Sequence, residues 1–293
     1  MSSEPLREHP STYFVQDREN LQEMTRLEIQ DKMANSAMGG VLPELADPTL
    51  LRHVLDVGCG TGGWLMETAR TYPTIERLVG VDISGKMVAY ARGQAQAQQL
   101  GERVQFQTMD ARSMLEFPSL SFDLVNQRAG FSWLRTWEWE KILSEYQRVT
   151  RPSGIIRITE PDVWSGGNSQ ALTKLCDIVV QTMHSSGNIF TSSRNGVTSE
   201  LVRLLTQHSI ENVQSRLYIV VYRAGTVEHQ SFYEDMLHFF RVGLPFFQKW
   251  TNVPSDYEET YQQALLEMRQ PDFVVTQSLL TAWGTRPDGP IPT

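Results

Sequence analysis

The chain has only two cysteines in 293 residues, Cys59 and Cys176. Two cannot knit a disulfide scaffold, and alone they cannot complete a four-ligand zinc site. No apolar run approaches the length of about 18 residues that a membrane-spanning helix needs. Basic residues are in deficit, with 26 Lys and Arg against 34 Asp and Glu and a net charge of −8. A sequence-independent grip on nucleic acid needs clustered lysine and arginine, so that class of function drops out. There is no repeat with a period of about 20–50 residues, and the QAQAQQ stretch at 94–99 is only a mild bias within an expected helix. The opening MSSEPLREHP carries Glu4 and Glu8 and no apolar core, unlike a secretory signal. The expectation is a soluble, cytoplasmic protein.

What is present is an ordinary globular composition, 40% hydrophobic and 20% charged. The length allows two average domains or one enlarged domain. Short apolar runs alternate with longer amphipathic ones. The strand-like runs are 53–57, 78–82, 104–108, 122–126 and 154–159, with helix-like stretches at 63–71, 84–99 and 138–150. Such alternation predicts right-handed βαβ units and a parallel sheet. Ahead of it, Leu21, Met24, Leu27, Ile29 and Met33 fall near helical spacing within 15–34. Behind it, helices are expected at 168–184, 197–209, 228–250 and 255–269, with strands at 216–222 and 273–283.

The sharpest local feature is Val54-Leu55-Asp56-Val57-Gly58-Cys59-Gly60-Thr61-Gly62-Gly63, between an apolar strand and a helix. Glycines let the backbone turn tightly and approach a ligand with no Cβ in the way. Two patterns overlap here. Gly58, Gly60 and Gly63 satisfy the dinucleotide fingerprint G-x-G-x-x-G. Gly58, Gly60 and Gly62, with Asp56 two residues earlier, equally satisfy D-x-G-x-G-x-G. An acid at that place is poor company for a pyrophosphate and good company for an ammonium or sulfonium.

Taken in order, these and later residues resemble the class I S-adenosylmethionine-dependent methyltransferases. VLDVGCGTGG is similar to the first motif of that family and VGVDIS to the second. The FDLVNQR stretch (122–128) and RVTRPSGIIRITEPD (148–162) resemble the fourth- and fifth-strand motifs. The match spans about residues 52–162. The resemblance implies a Rossmann-like α/β fold: a seven-stranded, mostly parallel sheet with helices on both faces and an antiparallel last strand near 273–283. It implies S-adenosylmethionine as cofactor, S-adenosylhomocysteine as product and no metal. It places Asp56, Gly58, Cys59, Gly60 and Gly62 at the loop, and Asp82 on the ribose hydroxyls with Ile83 and Met87 nearby. Asp110 and Ala111 meet the adenine, and Asn126 and Gln127 approach the methionine end. Cys59 is expected as a small filler of the loop, and Arg128 either as a structural partner of an acid or as a ligand contact.

The implied organisation is an N-terminal helical cap (1–45), a cofactor-binding sheet domain (46–227 and 270–293) and a helical lid (228–269). Phe131, Trp133, Trp137, Trp139 and the aromatics of the lid are candidates for the substrate pocket. They suit a flat or lipophilic acceptor if they face it. The fourth-strand end reads Asn126-Gln127-Arg128-Ala129 and lacks the N-P-P-Y-type signature of enzymes acting on base or glutamine amino groups. The acceptor is therefore expected to be a small molecule. Methyl transfer needs positioning and exclusion of water more than any one side chain, and His184 and Asp162 are the candidate bases. Two competitors stay open. One is a protein that binds the sulfonium without transferring methyl. The other is a nicotinamide-dependent oxidoreductase, although no Tyr-x-x-x-Lys pair accompanies the glycines. The sequence leaves the oligomeric state open, a homodimer included.

Overall fold

The computed structural model describes residues 21–289; residues 15–20 of the expected N-terminal helix, most of the first half of the expected cap and the last four residues lie outside them. Seven strands form one sheet: β1 (His53–Val57), β2 (Arg77–Asp82), β3 (Val104–Thr108), β4 (Phe122–Arg128), β5 (Thr150–Pro161), β6 (Glu211–Arg223) and β7 (Val274–Thr285). Their order is β3-β2-β1-β4-β5-β7-β6. Strands β1 to β5 pair in parallel, and β7 runs antiparallel to both β5 and β6. This is the Rossmann-like, mostly parallel sheet with an antiparallel last strand that the strand–helix alternation and the motifs led us to expect.

The helices are α1 (Leu21–Met38), α2 (Gly63–Thr71), α3 (Gly85–Ala97), α4 (Trp139–Val149), α5 (Gln170–Ser185), α6 (Thr198–Gln207), α7 (Val227–Trp250) and α8 (Tyr257–Glu267). They cover both faces because successive strand residues point to opposite sides. Val54, Leu78 and Leu124 join one core with Leu65, Val88 and Ala91 of α2 and α3. Their neighbours Leu55, Val79 and Val125 join a second core with Leu143 of α4 and Leu175 of α5. All six strand residues have no exposed surface, and each such side chain contributes about 1.5–3 kcal/mol on burial.

The two last strands are longer than their apolar runs. β6 starts at Glu211, not 216, across a register shift between Glu211 and Gln214. Of its first residues Glu211, Asn212 and Gln214 are polar and exposed and only Val213 is apolar, so no alternating pattern marks them. β5 starts at Thr150 because Thr150 pairs with Phe122 beside an irregularity in β4. Caps fix the helix starts: Ser84 Oγ accepts from Met87 N at 3.3 Å, and Ser169 Oγ from Leu172 N at 3.0 Å. Helix α2 is different. It springs from Gly62 with no side-chain cap, so its first N–H groups have no side chain to close them off.

Candidate active site

The carboxyl ends of β1, β2, β4 and β5 open on a cavity of about 590 Å³, roofed by α1 and α7. Crevices at strand ends of this kind are where open α/β sheets bind ligands.

The glycine loop forms one wall. Gly58, Gly60 and Gly62 all take left-handed backbone, with φ of +71°, +52° and +76°, whereas Gly63 does not. The loop's strained positions are thus those of D-x-G-x-G-x-G and not of the dinucleotide pattern. A Cβ on Gly62 would lie 2.4 Å from the Phe106 ring, and one on Gly60 would project into open space. The loop is lashed to β2, since Gly58 N and Cys59 N donate to the Val81 carbonyl at 2.8 and 3.0 Å. Asp82 completes the tie: its carboxylate accepts from Gly60 N at 3.1 Å and from Ser84 N at 2.8 Å. A carboxylate at a strand end can accept from two hydroxyls, which suits a cis-diol. Cys59 is buried, and burial pushes its thiol well above the usual range, so it fills the loop as an inert thiol.

Asp56 is 4% exposed. Burial raises its carboxyl from 3.8 to about 7, against the pull of Arg128 and the hydrogen bond from Asn126. A buried carboxylate at such a cost is a natural counter-charge for a cation. Arg128 does not bond it directly; its guanidinium pairs with Asp31 of α1 at 2.5 Å. Asp110 holds Arg112 through both oxygens, at 3.0 Å each, beside Ala111.

Nine of the twelve residues expected at the cofactor line this cavity: Asp56, Gly58, Cys59, Gly60, Asp82, Ile83, Met87, Asp110 and Ala111. Gly62, Asn126 and Gln127 do not. Gly62 turns the loop against Phe106 and Ala91. Asn126 and Gln127 are fully buried within the sheet. Asn126 Nδ2 donates to Asp56 at 2.7 Å, whereas Gln127 donates to Glu160 at 3.1 Å. They support the site from behind and do not face it.

The opposite wall is apolar and aromatic, with Met33 and Met38 from α1, Phe131 and Trp133 after β4, Trp164 after β5, and Phe232 and Phe239 from α7. Trp137 is instead 69% exposed and Trp139 is wholly buried in the core. Of the aromatics in 228–269, most pack against one another: Phe246, Phe247, Tyr257 and Tyr261 belong to the core, and α8 does not line the cavity. Asp162 lines it, accepts a hydrogen bond from Thr198 Oγ1, and has its carboxyl raised by burial. His184 is placed elsewhere, exposed in the last turn of α5.

Sequence reasoning missed several lining residues. Asp31, Gln30 and Asp235 meet here from helices about 200 positions apart, and Gln30 Nε2 donates to Asp235 at 2.6 Å across 205 positions. Thr61 was passed over within the glycine motif itself. It is 1% exposed, lines the cavity, and its hydroxyl has no hydrogen-bond partner. An orphaned hydroxyl beside a left-handed glycine with open space before it is the signature of a cradle for a polar ligand. The residues present therefore fit a nucleoside sulfonium.

Fold and site together resemble those of the class I, S-adenosylmethionine-dependent methyltransferases. Residues 54–154 match the family model described as "Methyltransferase domain", and the chain carries that domain. A demethylmenaquinone methyltransferase of Lactiplantibacillus plantarum is 31% identical over 113 residues, 38% of this chain and 46% of that protein. The ajmaline N-methyltransferase of Rauvolfia serpentina is 36% identical over 107 residues, 36% of this chain and 35% of that protein. The chain thus spans less than half the length of these curated relatives. Among solved structures, the phosphoethanolamine N-methyltransferase 2 of Haemonchus contortus, in complex with phosphomonomethylethanolamine and S-adenosylhomocysteine, has a TM-score of 0.56. It is 17% identical and covers 95% of this chain and 61% of its own, a likeness of fold.

Proposed function

We propose that this protein transfers a methyl group from S-adenosylmethionine to a small molecule held under α7. One observation carries it: the glycine loop, Asp56, Asp82 and Asp110 stand on one wall of the same cavity whose other wall is aromatic and methionine-rich. When bound, the cofactor supplies an electrophilic methyl on a positively charged sulfur. Asp82 would hold the ribose hydroxyls, Asp110 and Ala111 the adenine edge, and the Thr61 hydroxyl and Asp56 the charged amino-acid end. Trp133, whose indole lies 3.1 Å from where a Gly58 Cβ would sit, packs against the glycine loop and would shield a ligand bound there from water.

The apolar wall positions the acceptor and excludes solvent, which supplies most of what an in-line displacement requires. Asp162 is the group on this wall placed to take a proton from the acceptor, because burial has already made its carboxyl more basic. Helix α7 acts as the lid over the crevice, with α8 as its buttress against α5. Titration calorimetry with S-adenosylmethionine and S-adenosylhomocysteine tests the reading. Binding of both at micromolar concentration is expected, and a folded sample that binds neither would end it.

A further inference from the structure

We infer that Thr198, which stands outside the cavity, is the positioning residue for Asp162. Its hydroxyl fixes which carboxylate oxygen meets the methyl acceptor, and it turns to the Asn195 carbonyl once that carboxylate is protonated. This deepens the methyltransferase reading and rests on it.

The three residues that follow β5 are strapped to the stretch that opens α6. Thr198 Oγ1 donates to Oδ1 of Asp162, Val163 N donates to the Arg194 carbonyl at 2.9 Å, and Arg194 Nη1 donates to the Trp164 carbonyl. Asp162, Val163 and Trp164 line the cavity, whereas Arg194 and Thr198 do not. The main chain of Asp162 is also pinned from β7. Its N–H donates to the Ser278 carbonyl at 2.9 Å, and its carbonyl accepts from Gln277 Nε2 at 3.1 Å. With the backbone fixed, the side-chain torsions decide where the carboxylate points, and Thr198 holds them from behind the wall.

A threonine hydroxyl has one proton and two lone pairs, and this one is buried. It also lies 3.3 Å from the Asn195 carbonyl, which takes the Ser199 N–H at 3.0 Å and keeps a second lone pair. The single proton therefore has two places to go. An ionised carboxylate is the stronger acceptor, so the hydroxyl bonds Oδ1 and Oδ2 is left for the proton of the methyl acceptor. When Oδ2 takes that proton, the bond to the nucleophilic atom breaks and its electron pair stays on the nucleophile. Oδ1 then loses its charge, and the Asn195 carbonyl becomes the better partner. The hydroxyl is satisfied in both states. Titratable groups on neighbouring elements are Glu234, Asp235 and His238 of α7 and Tyr222 of β6, with Arg194 paired to Asp177. The pulls that oppose burial at the Asp162 carboxyl come from the hydroxyls of Thr198 and Ser278 and not from these charges.

The test is a pH titration of the full chain by carbon NMR, with aspartate side-chain carboxyls and asparagine backbone carbonyls labelled. Loss of a resonance in Asp162→Asn identifies Asp162. In the wild type the Asn195 carbonyl is expected to shift with the same midpoint as the Asp162 carboxyl. Thr198→Val should raise the Asp162 midpoint by at least about half a pH unit and stop the Asn195 carbonyl from following it. Thr198→Ser, which keeps the hydroxyl, should restore both. An unmoved midpoint in Thr198→Val, a serine variant that behaves like valine, or an Asn195 carbonyl that ignores Asp162 overturns the inference. The last of these is read on the wild type and decides the matter even if Thr198→Val does not fold. Calorimetry with S-adenosylhomocysteine runs alongside, with affinity in Thr198→Ser expected within about twofold of the wild type. Failed titrations beside normal S-adenosylhomocysteine binding leave the methyltransferase reading standing. The expected titrations in a chain that does not bind S-adenosylhomocysteine keep the Thr198 contact and sink that reading instead.

Discussion

The Asn126 side-chain amide donates to Oδ1 of Asp56 at 2.7 Å, across a register pair that joins β1 to β4. The ladder continues one strand further, since Asn126 faces Arg157 on β5 and its Oδ1 accepts from Arg157 Nη1 at 2.7 Å. Arg157 in turn pairs with Glu44 at 3.1 Å, both side chains without any exposed surface. A buried polar chain therefore runs along one face of the sheet from the cofactor acid to the segment after α1. It holds Asp56 in place without supplying a direct counter-charge.

Under the proposed function, that arrangement would make Asp56 a pH-dependent ligand. Its carboxyl titrates at about 7 against an ordinary 3.8. Only the ionised form attracts a cation, so affinity for S-adenosylmethionine should rise by about tenfold between pH 6 and pH 8. Calorimetry in two buffers of different ionisation heat should show proton release at pH 6.5. The same shift costs stability: the folded chain keeps a proton that the unfolded chain gives up, so this group's contribution falls as pH rises from about 4 to 7. Asp56→Asn should therefore raise the melting temperature at pH 8 by roughly 2–6 °C and flatten the pH dependence of cofactor binding.

Thr61 separates binding from folding in a different way. Its buried hydroxyl has no partner, so Thr61→Val removes an unsatisfied group and should leave the denaturation midpoint unchanged or higher. Affinity for S-adenosylhomocysteine should fall about threefold to tenfold, the worth of one hydrogen bond. Gly60→Ala reports on the same cradle. Its Cβ meets no protein atom within 4 Å, so the fold bears only the left-handed backbone cost of about 1–2 kcal/mol, while cofactor affinity drops further than in Thr61→Val.

The buried chain predicts a large stability effect at a distance from any ligand. Arg157→Met leaves Glu44 buried with only Tyr218, whose hydroxyl donates to Glu44 at 2.7 Å. Breaking a pair of this kind costs about 3–5 kcal/mol. Urea unfolding should show that loss, and Arg157→Met with Glu44→Gln should recover part of it, because no unpaired charge then remains.

These contacts also show what the sequence makes legible. The sheet was readable because each of its first five strands is a short apolar run and the glycine loop is contiguous, so spacing along the chain is spacing in space. Asp56, Asp82 and Asp110 could be placed on the cavity wall for the same reason: each lies within two residues of the carboxyl end of a strand. Asn126 and Gln127 were placed at the cofactor because they too close a strand, yet their neighbours Asp56 and Glu160 draw both side chains into the interior. The acceptor wall was hardest. It is assembled from α1 and α7, about 200 residues apart, and no local pattern separates Phe232, which faces the cavity, from Phe247, which faces the core.

Asp162 and His184, equal candidates as bases in the sequence, part company in the structure. Asp162 directly follows β5 and lines the cavity, with Thr198 Oγ1 as its hydrogen-bond donor. His184 is exposed on α5 and does not itself line the cavity. Removing a well-placed proton acceptor lowers turnover by about a hundredfold or more. Asp162→Asn should therefore reduce kcat to that extent with S-adenosylhomocysteine affinity unchanged, and its loss should be smaller at high pH, where the acceptor sheds its proton unaided. His184→Ala should match the wild type in both measurements. Comparable losses in the two variants would place the proton acceptor elsewhere, with His238 on α7 the next residue on the cavity wall to substitute.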